Sequence, residues 1–178
     1  MTLIKVVLTL RIIHIFAAAI LVGSVIFNYF FLRPALNLIP PAHAVVVAQR
    51  VGTIFTYLGW IALTLLVFSG VLRLYYNEDL GAIFTLELYT TSYGRALGMM
   101  ILFWFLTVVS SAIMTFFLRP RLMKKLSVTA NPSLADVERR RTTQMAASVW
   151  VDRLQLIIVF TSTLALIAGA SVVHGGLF

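Results

Sequence analysis

The sequence predicts an all-α integral membrane protein, a bundle of four transmembrane helices forming a single domain over residues 1–178. Two observations carry that expectation. The chain is 61% hydrophobic and only 11% charged. Its apolar residues also gather into four blocks of at least about twenty, the length a helix needs to cross ~30 Å of hydrocarbon. The blocks place the spans at residues 12–32, 54–75, 96–118 and 154–173, with a basic connection over 119–153.

The first span follows Lys5 and has the start of a signal peptide. It runs unbroken to Leu32, however, and meets Arg33-Pro34 instead of a cleavage site, so it is expected to stay as a helix. On a 3.6-residue wheel Arg11, His14, Ala17, Ala18, Leu21, Ser24, Val25 and Asn28 share one face. Small and polar residues on one side of a membrane helix favour close packing, which turns this face into the bundle. The second span ends at Tyr75, ahead of a connection carrying Glu78, Asp79 and Glu87.

In the third span Met100, Trp104, Thr107 and Ser111 form a similar row, with Met99 beside it. Asn131-Pro132 then marks a turn and Ser133-Leu134-Ala135-Asp136 a capping box. From there a polar helix is expected to run through Arg139-Arg140-Arg141 into the fourth span, where Thr163, Ile167, Ala170 and His174 fall in register.

Phe30-Phe31-Leu32-Arg33-Pro34-Ala35-Leu36 closes the first span and Phe116-Phe117-Leu118-Arg119-Pro120-Arg121-Leu122 closes the third. The shared pattern suggests two pseudo-repeated helical hairpins of the parallel kind, with helix free to continue beyond each span. An aromatic pair, an arginine and a proline would equally suit any cytoplasmic helix end. The same interval carries His14 onto Met100.

The net charge is +8, yet the basic residues lie beside spans, which argues for a membrane surface and against nucleic acid. Ten of the fourteen Lys and Arg fall in or beside the first and third connections. By the positive-inside rule those connections are cytoplasmic, with both termini and the acidic loop outside. In a bacterium this means the inner (plasma) membrane. Arg139-Arg140-Arg141 would meet anionic lipid headgroups there. With no cysteine, disulfides, thiolate metal sites and c-type haem attachment are excluded.

An ionisable side chain in hydrocarbon is costly, which makes His14 the leading candidate for a site. His14, Met99 or Met100, and His174 are expected at one height near the outer face, beneath a loop whose Glu78, Asp79 and Glu87 would gather cations. Two chemistries fit. Imidazole with thioether suits copper, whereas His174 or a methionine opposite His14 would make an axial pair for haem. Arg11 and Arg95 would then meet the propionates through guanidinium–carboxylate pairing. The ordinary readings are a histidine bonded to a neighbouring helix, methionines filling the core and hydroxyls at Thr107, Ser110 and Ser111 serving packing. His43 reads as a loop residue. No Ser-His-Asp set, H-E-x-x-H, P-loop or dinucleotide motif is present, so hydrolytic or nucleotide chemistry has no support.

The run Arg11-Ile-Ile-His14-Ile-Phe-Ala-Ala-Ala-Ile-Leu-Val-Gly23 resembles the opening helix of the copper resistance D (CopD) family. The resemblance continues through Arg33-Pro34-Ala35-Leu36, Phe55-Thr-Tyr-Leu-Gly-Trp60, Ser69-Gly70 and Tyr93-Gly94-Arg95. It implies a four-helix or larger bundle in which His14 handles copper. The chain is also similar, more distantly, to HemJ-type membrane proteins, for which the same histidine implies haem binding. Two positions depart from these patterns: Leu21-Val22-Gly23 lacks a tryptophan, and Met100 stands where a HemJ-type lysine is expected.

The expected function is thus copper binding or transport near the outer face. A haem-binding redox protein is the alternative. A third reading is a non-catalytic accessory subunit, or a homo-oligomer, packing through its small-residue faces.

Overall fold

A computed structural model describes residues 2–77, 80–120, 134–172 and 175. Four long helices dominate it: α1 (Thr2–Ile26), α2 (Pro41–Tyr76), α3 (Ser92–Ala112) and α4 (Leu134–Val172), with no strand among the described residues. Four segments are long and apolar enough to cross a membrane: Leu3–Leu36, Val46–Tyr76, Ser92–Leu118 and Val149–Val172. The first begins well before Ile12 because only Lys5 and Arg11 interrupt the apolar run. The α4 backbone runs without a break from Leu134 past Arg139-Arg140-Arg141, as the sequence predicts. Ser133 and the Asn131-Pro132 turn lie outside the described residues.

Helical structure runs past Arg33-Pro34 and into Arg119-Pro120, the last described residues before 134. α1 continues through a π-helical segment, Phe27–Leu32, and a further α turn, Arg33–Leu36. α3 likewise continues through the π-helical Ile113–Leu118 into Arg119-Pro120. Proline lacks an N–H, and its ring crowds the carbonyl four residues earlier, here Phe30 or Phe116. The chain answers by widening the preceding turn. The Arg33 N–H reaches the Asn28 carbonyl and the Arg119 N–H reaches that of Met114, each five residues back, which is π spacing. One correction concerns His43, which lies in the first turn of α2 instead of a loop. Pro41 starts that helix after Pro40, and the His43 N–H donates to the Pro40 carbonyl.

α1 packs antiparallel on α2 and α3 on α4, and the hairpins meet where α1 also lies along α4. Between α1 and α2 the core is Ala17, Leu21, Ala62, Leu63 and Leu66, in which each alanine admits a facing leucine. Between α3 and α4 the buried Thr107 sets its hydroxyl 2.8 Å from that of Thr161. The outside is apolar too: Phe16, Phe31, Phe68, Phe105 and Phe116 are all more than half exposed.

The connection before α3 folds onto it. Leu88 lies against Gly94 and the Tyr89 ring against Gly98, where a Cβ would collide with each. The Tyr89 hydroxyl also donates to the Ile83 carbonyl at 2.8 Å. Glycines at this spacing often seat a second helix; here they seat a loop.

Contacts recur between the hairpins. The interval that separates Arg33 from Arg119 carries Leu10 onto Ala96 and Leu21 onto Thr107, and all four are buried. The interval from Gly70 to Gly169 carries Ala62 onto Thr161, Leu63 onto Ser162 and Ser69 onto Ala168, all six buried. A Cβ on Gly70 would touch the His14 ring, and one on Gly169 would touch the Met100 side chain. Arg33 pairs with Asp152 on α4, while Arg119 bonds Thr53 on α2, the corresponding position.

Candidate functional site

His14 sits near one end of the bundle with its ring against Gly70, whose missing side chain makes room for it. Its Nδ1 lies 2.8 Å from the Oγ of Ser69, a fully buried residue. A serine hydroxyl has one hydrogen, and that of Ser69 is directed at the Leu65 carbonyl 2.6 Å away in its own helix. With its hydrogen on that carbonyl, Ser69 accepts from His14, and Nδ1 then carries the ring proton. Nε2 keeps its lone pair, the form in which an imidazole ligates a metal or accepts a proton. The local sequence sets this up: a mid-helix serine turns back to the carbonyl four residues earlier, and the neighbouring glycine opens a ring-sized gap.

Among the described residues the charge that acts on His14 is positive. The guanidinium of Arg73, one turn beyond Ser69 on α2, acts on His14, and Arg11 and Tyr93 act on Arg73. Among the described residues neither Arg73 Nε nor Trp104 Nε1, both buried, has a hydrogen-bond partner.

The other expected ligands distribute differently. Met100 is packed within the second hairpin, against Gly169, and Met99 is half-buried next to it. Arg95 donates to the Thr90 carbonyl and the Ser92 hydroxyl at 2.8 and 3.2 Å, so its hydrogen bonds brace the loop. Glu87 is exposed in that loop. Glu78, Asp79 and His174 lie outside the described residues. The α4 row of Thr163, Ile167 and Ala170 does not point inward: Ile167 is 51% exposed and Ala170 is exposed, whereas Thr161, Ser162, Ala168 and Ser171 face the core. Among the described residues no three His, Asp or Glu side chains form a group able to hold a metal ion.

The opposite end holds a feature that the sequence reading overlooks. Where the π-helical segments widen α1 and α3, a cavity of about 430 Å³ opens between the hairpins. Ser24, Asn28 and Ser111 line it, as members of the inward polar rows, while Thr107 is engaged with Thr161. Arg33 and its partner Asp152 lie on one side and Arg119 on the other. Arg119 donates to the hydroxyls of Thr56, at 2.9 Å, and Thr53. Both hydroxyls give their own hydrogens to backbone carbonyls, Gln49 and Gly52, at 2.7 Å, so each meets Arg119 purely as an acceptor. The signal for this site was in the sequence as arginines at two widened helix ends, yet only the packing of α2 and α4 makes them face a common space.

No protein-family model, curated protein or solved structure matches the chain, and the functional reading rests on this geometry.

Proposed function

We propose that the chain is an integral membrane protein, with both termini outside a bacterial plasma membrane, that binds haem through His14. Four apolar segments, an apolar exterior and arginines gathered at the two Arg-Pro ends support the membrane placement. The recurring contacts support two hairpins related by a pseudo-twofold along the membrane normal.

The observation that carries the ligand role is the Ser69 acceptor. Ligating histidines usually donate their second ring nitrogen to a fixed acceptor, which sets the tautomer and aims the other nitrogen at the metal. A free cuprous or cupric ion at His14 would meet the like charge of Arg73. A porphyrin brings carboxylates that the Arg73 guanidinium can pair, and its Nε, without a partner among the described residues, is a donor ready for one. Bound iron porphyrin supplies one-electron chemistry. The chain's part is to present Nε2, hold Nδ1 as the donor and neutralise the side-chain carboxylates. Copper is the second reading, since an imidazole with a free ring nitrogen also suits that ion, although Met100 packs in the other hairpin against Gly169.

The test is an absorption spectrum, oxidised and dithionite-reduced, of detergent-purified protein with metal content measured on the same samples. A Soret band is expected, lost in His14→Ala and held with roughly tenfold weaker haem affinity in Ser69→Ala. Copper bound without a Soret band, and lost in His14→Ala, would replace haem with the copper reading. If neither ligand depends on His14, the imidazole is an interhelical tie and the accessory-subunit reading takes over.

A further inference from the structure

The cavity at the Arg-Pro end differs between its two sides in one respect. At one corner Arg33 is neutralised by Asp152. At the corresponding corner the aspartate's place is taken by Thr53, and among the described residues Arg119's hydrogen-bond partners are the two neutral threonine hydroxyls. Among the described residues of the cavity wall, two arginines stand against one aspartate, one positive charge in excess. A guanidinium has five donors, and the two threonines engage only NH1 and NH2. Above the charged corners the wall becomes apolar, through Val25, Phe55, Trp60 and Leu63. About 430 Å³ is within the range of small-molecule sites.

We propose that this cavity binds an amphiphile with an anionic head, phosphate or carboxylate, whose charge Arg119 neutralises and whose apolar tail lies along Phe55, Trp60 and Leu63. The head takes the place that Asp152 fills for Arg33, and Thr53 and Thr56 hold the guanidinium in position to receive it. The tail enters between the hairpins, where the π-helical turns hold α1 and α3 open. Asn28, Gln49 and Gln155, which also line the cavity, offer amide donors to the remaining head oxygens. This site lies at the other end of the bundle from His14 and does not depend on the haem reading.

The probe is dioctanoyl phosphatidic acid, titrated by calorimetry into the full-length protein in neutral detergent, beside dioctanoylglycerol and inorganic phosphate. Saturable phosphatidate binding is expected, with little binding of either comparison compound. Arg119→Gln should weaken it by about tenfold or more, the worth of one charge-assisted hydrogen bond. Thr53→Asp supplies the missing counter-ion and should abolish binding while keeping the fold, which circular dichroism and gel filtration would check. His14→Ala should leave the titration unchanged, separating this site from the haem site. Dioctanoylglycerol binding as tightly as the phosphatidate, or equal phosphatidate binding by wild type, Arg119→Gln and Thr53→Asp, would overturn the proposal. Inorganic phosphate binding as tightly as phosphatidate would overturn the amphiphile and leave a simple anion site.

Discussion

Contacts recur between the two hairpins, and the chemistry at the recurring positions differs. Corresponding positions hold His14 on Gly70 in the first and Met100 on Gly169 in the second. Deeper in, Leu21 with Ala62 in the first stands where the second has Thr107 bonded to Thr161. At the far end Arg119 bonds Thr53 while Arg33 pairs with Asp152. What repeats is shape: the glycine gap, the buried mid-span pair and the proline-widened turn. What differs is where polarity is placed, and each difference leaves one hairpin with a group its counterpart lacks. The imidazole is one such group, and the arginine whose described partners are neutral hydroxyls is the other.

The largest expected effect comes from a place where the recurrence fails. Gly94 receives the Leu88 carbonyl so closely that a Cβ cannot be accommodated without moving backbone, whereas the corresponding Leu8 is 55% exposed. Gly94→Ala should destabilise the fold by about 3 kcal/mol, at the high end of overpacking effects, and Leu8→Ala by under about 0.5 kcal/mol. Denaturation in mixed micelles followed by far-ultraviolet dichroism measures both. Similar values for the two would mean that the loop shifts to admit a methyl group and that Gly94 does not anchor it.

A smaller effect tests whether the mid-span pairs are interchangeable. Thr107→Leu alone forces a larger side chain against Thr161, whose hydroxyl keeps its bond to the Ile157 carbonyl, for a cost of about 2 kcal/mol. Adding Thr161→Ala rebuilds in the second hairpin the leucine–alanine pair of the first. Removing both polar partners together is close to neutral when the shape is kept, so the double variant should recover most of the loss. The coupling in this double-mutant cycle is the readout. Strict additivity would show that the hairpins only look alike in their buried pattern.

These comparisons also show what the sequence could and could not carry. The four long apolar helices were legible because apolar length is a strong signal, and the inward face of α1 because Ala17, Leu21 and Ser24 contrast with bulky neighbours such as Phe16. The phase of α4 was not legible. Thr161, Ser162 and Thr163 are consecutive, and when lipid and core are both apolar a run of hydroxyls does not say which of them faces inward. Nor could the sequence separate a proline that ends a helix from one that widens it, since the two share the same motif. Ser69 appears in the sequence as a small polar residue. Its role in setting the His14 tautomer exists only once α1 and α2 are packed.

The smallest effect concerns the charged corners. Arg33 and Asp152 are 37% and 40% exposed, and a partly exposed pair of this kind contributes roughly 0.2–1 kcal/mol. Asp152→Asn should therefore change stability by less than about 1 kcal/mol, and the consequence to follow is in binding. It frees a second guanidinium at the cavity, so the Asp152→Asn protein should take up phosphatidic acid at two heads per chain or with higher affinity, while Thr53→Asp moves binding the opposite way. Opposite signs at corresponding corners would tie anion binding to the asymmetry between the hairpins. Equal and opposite stability changes with no change in binding would instead make the two arginines simple helix-end anchors, interchangeable in role as they are in position.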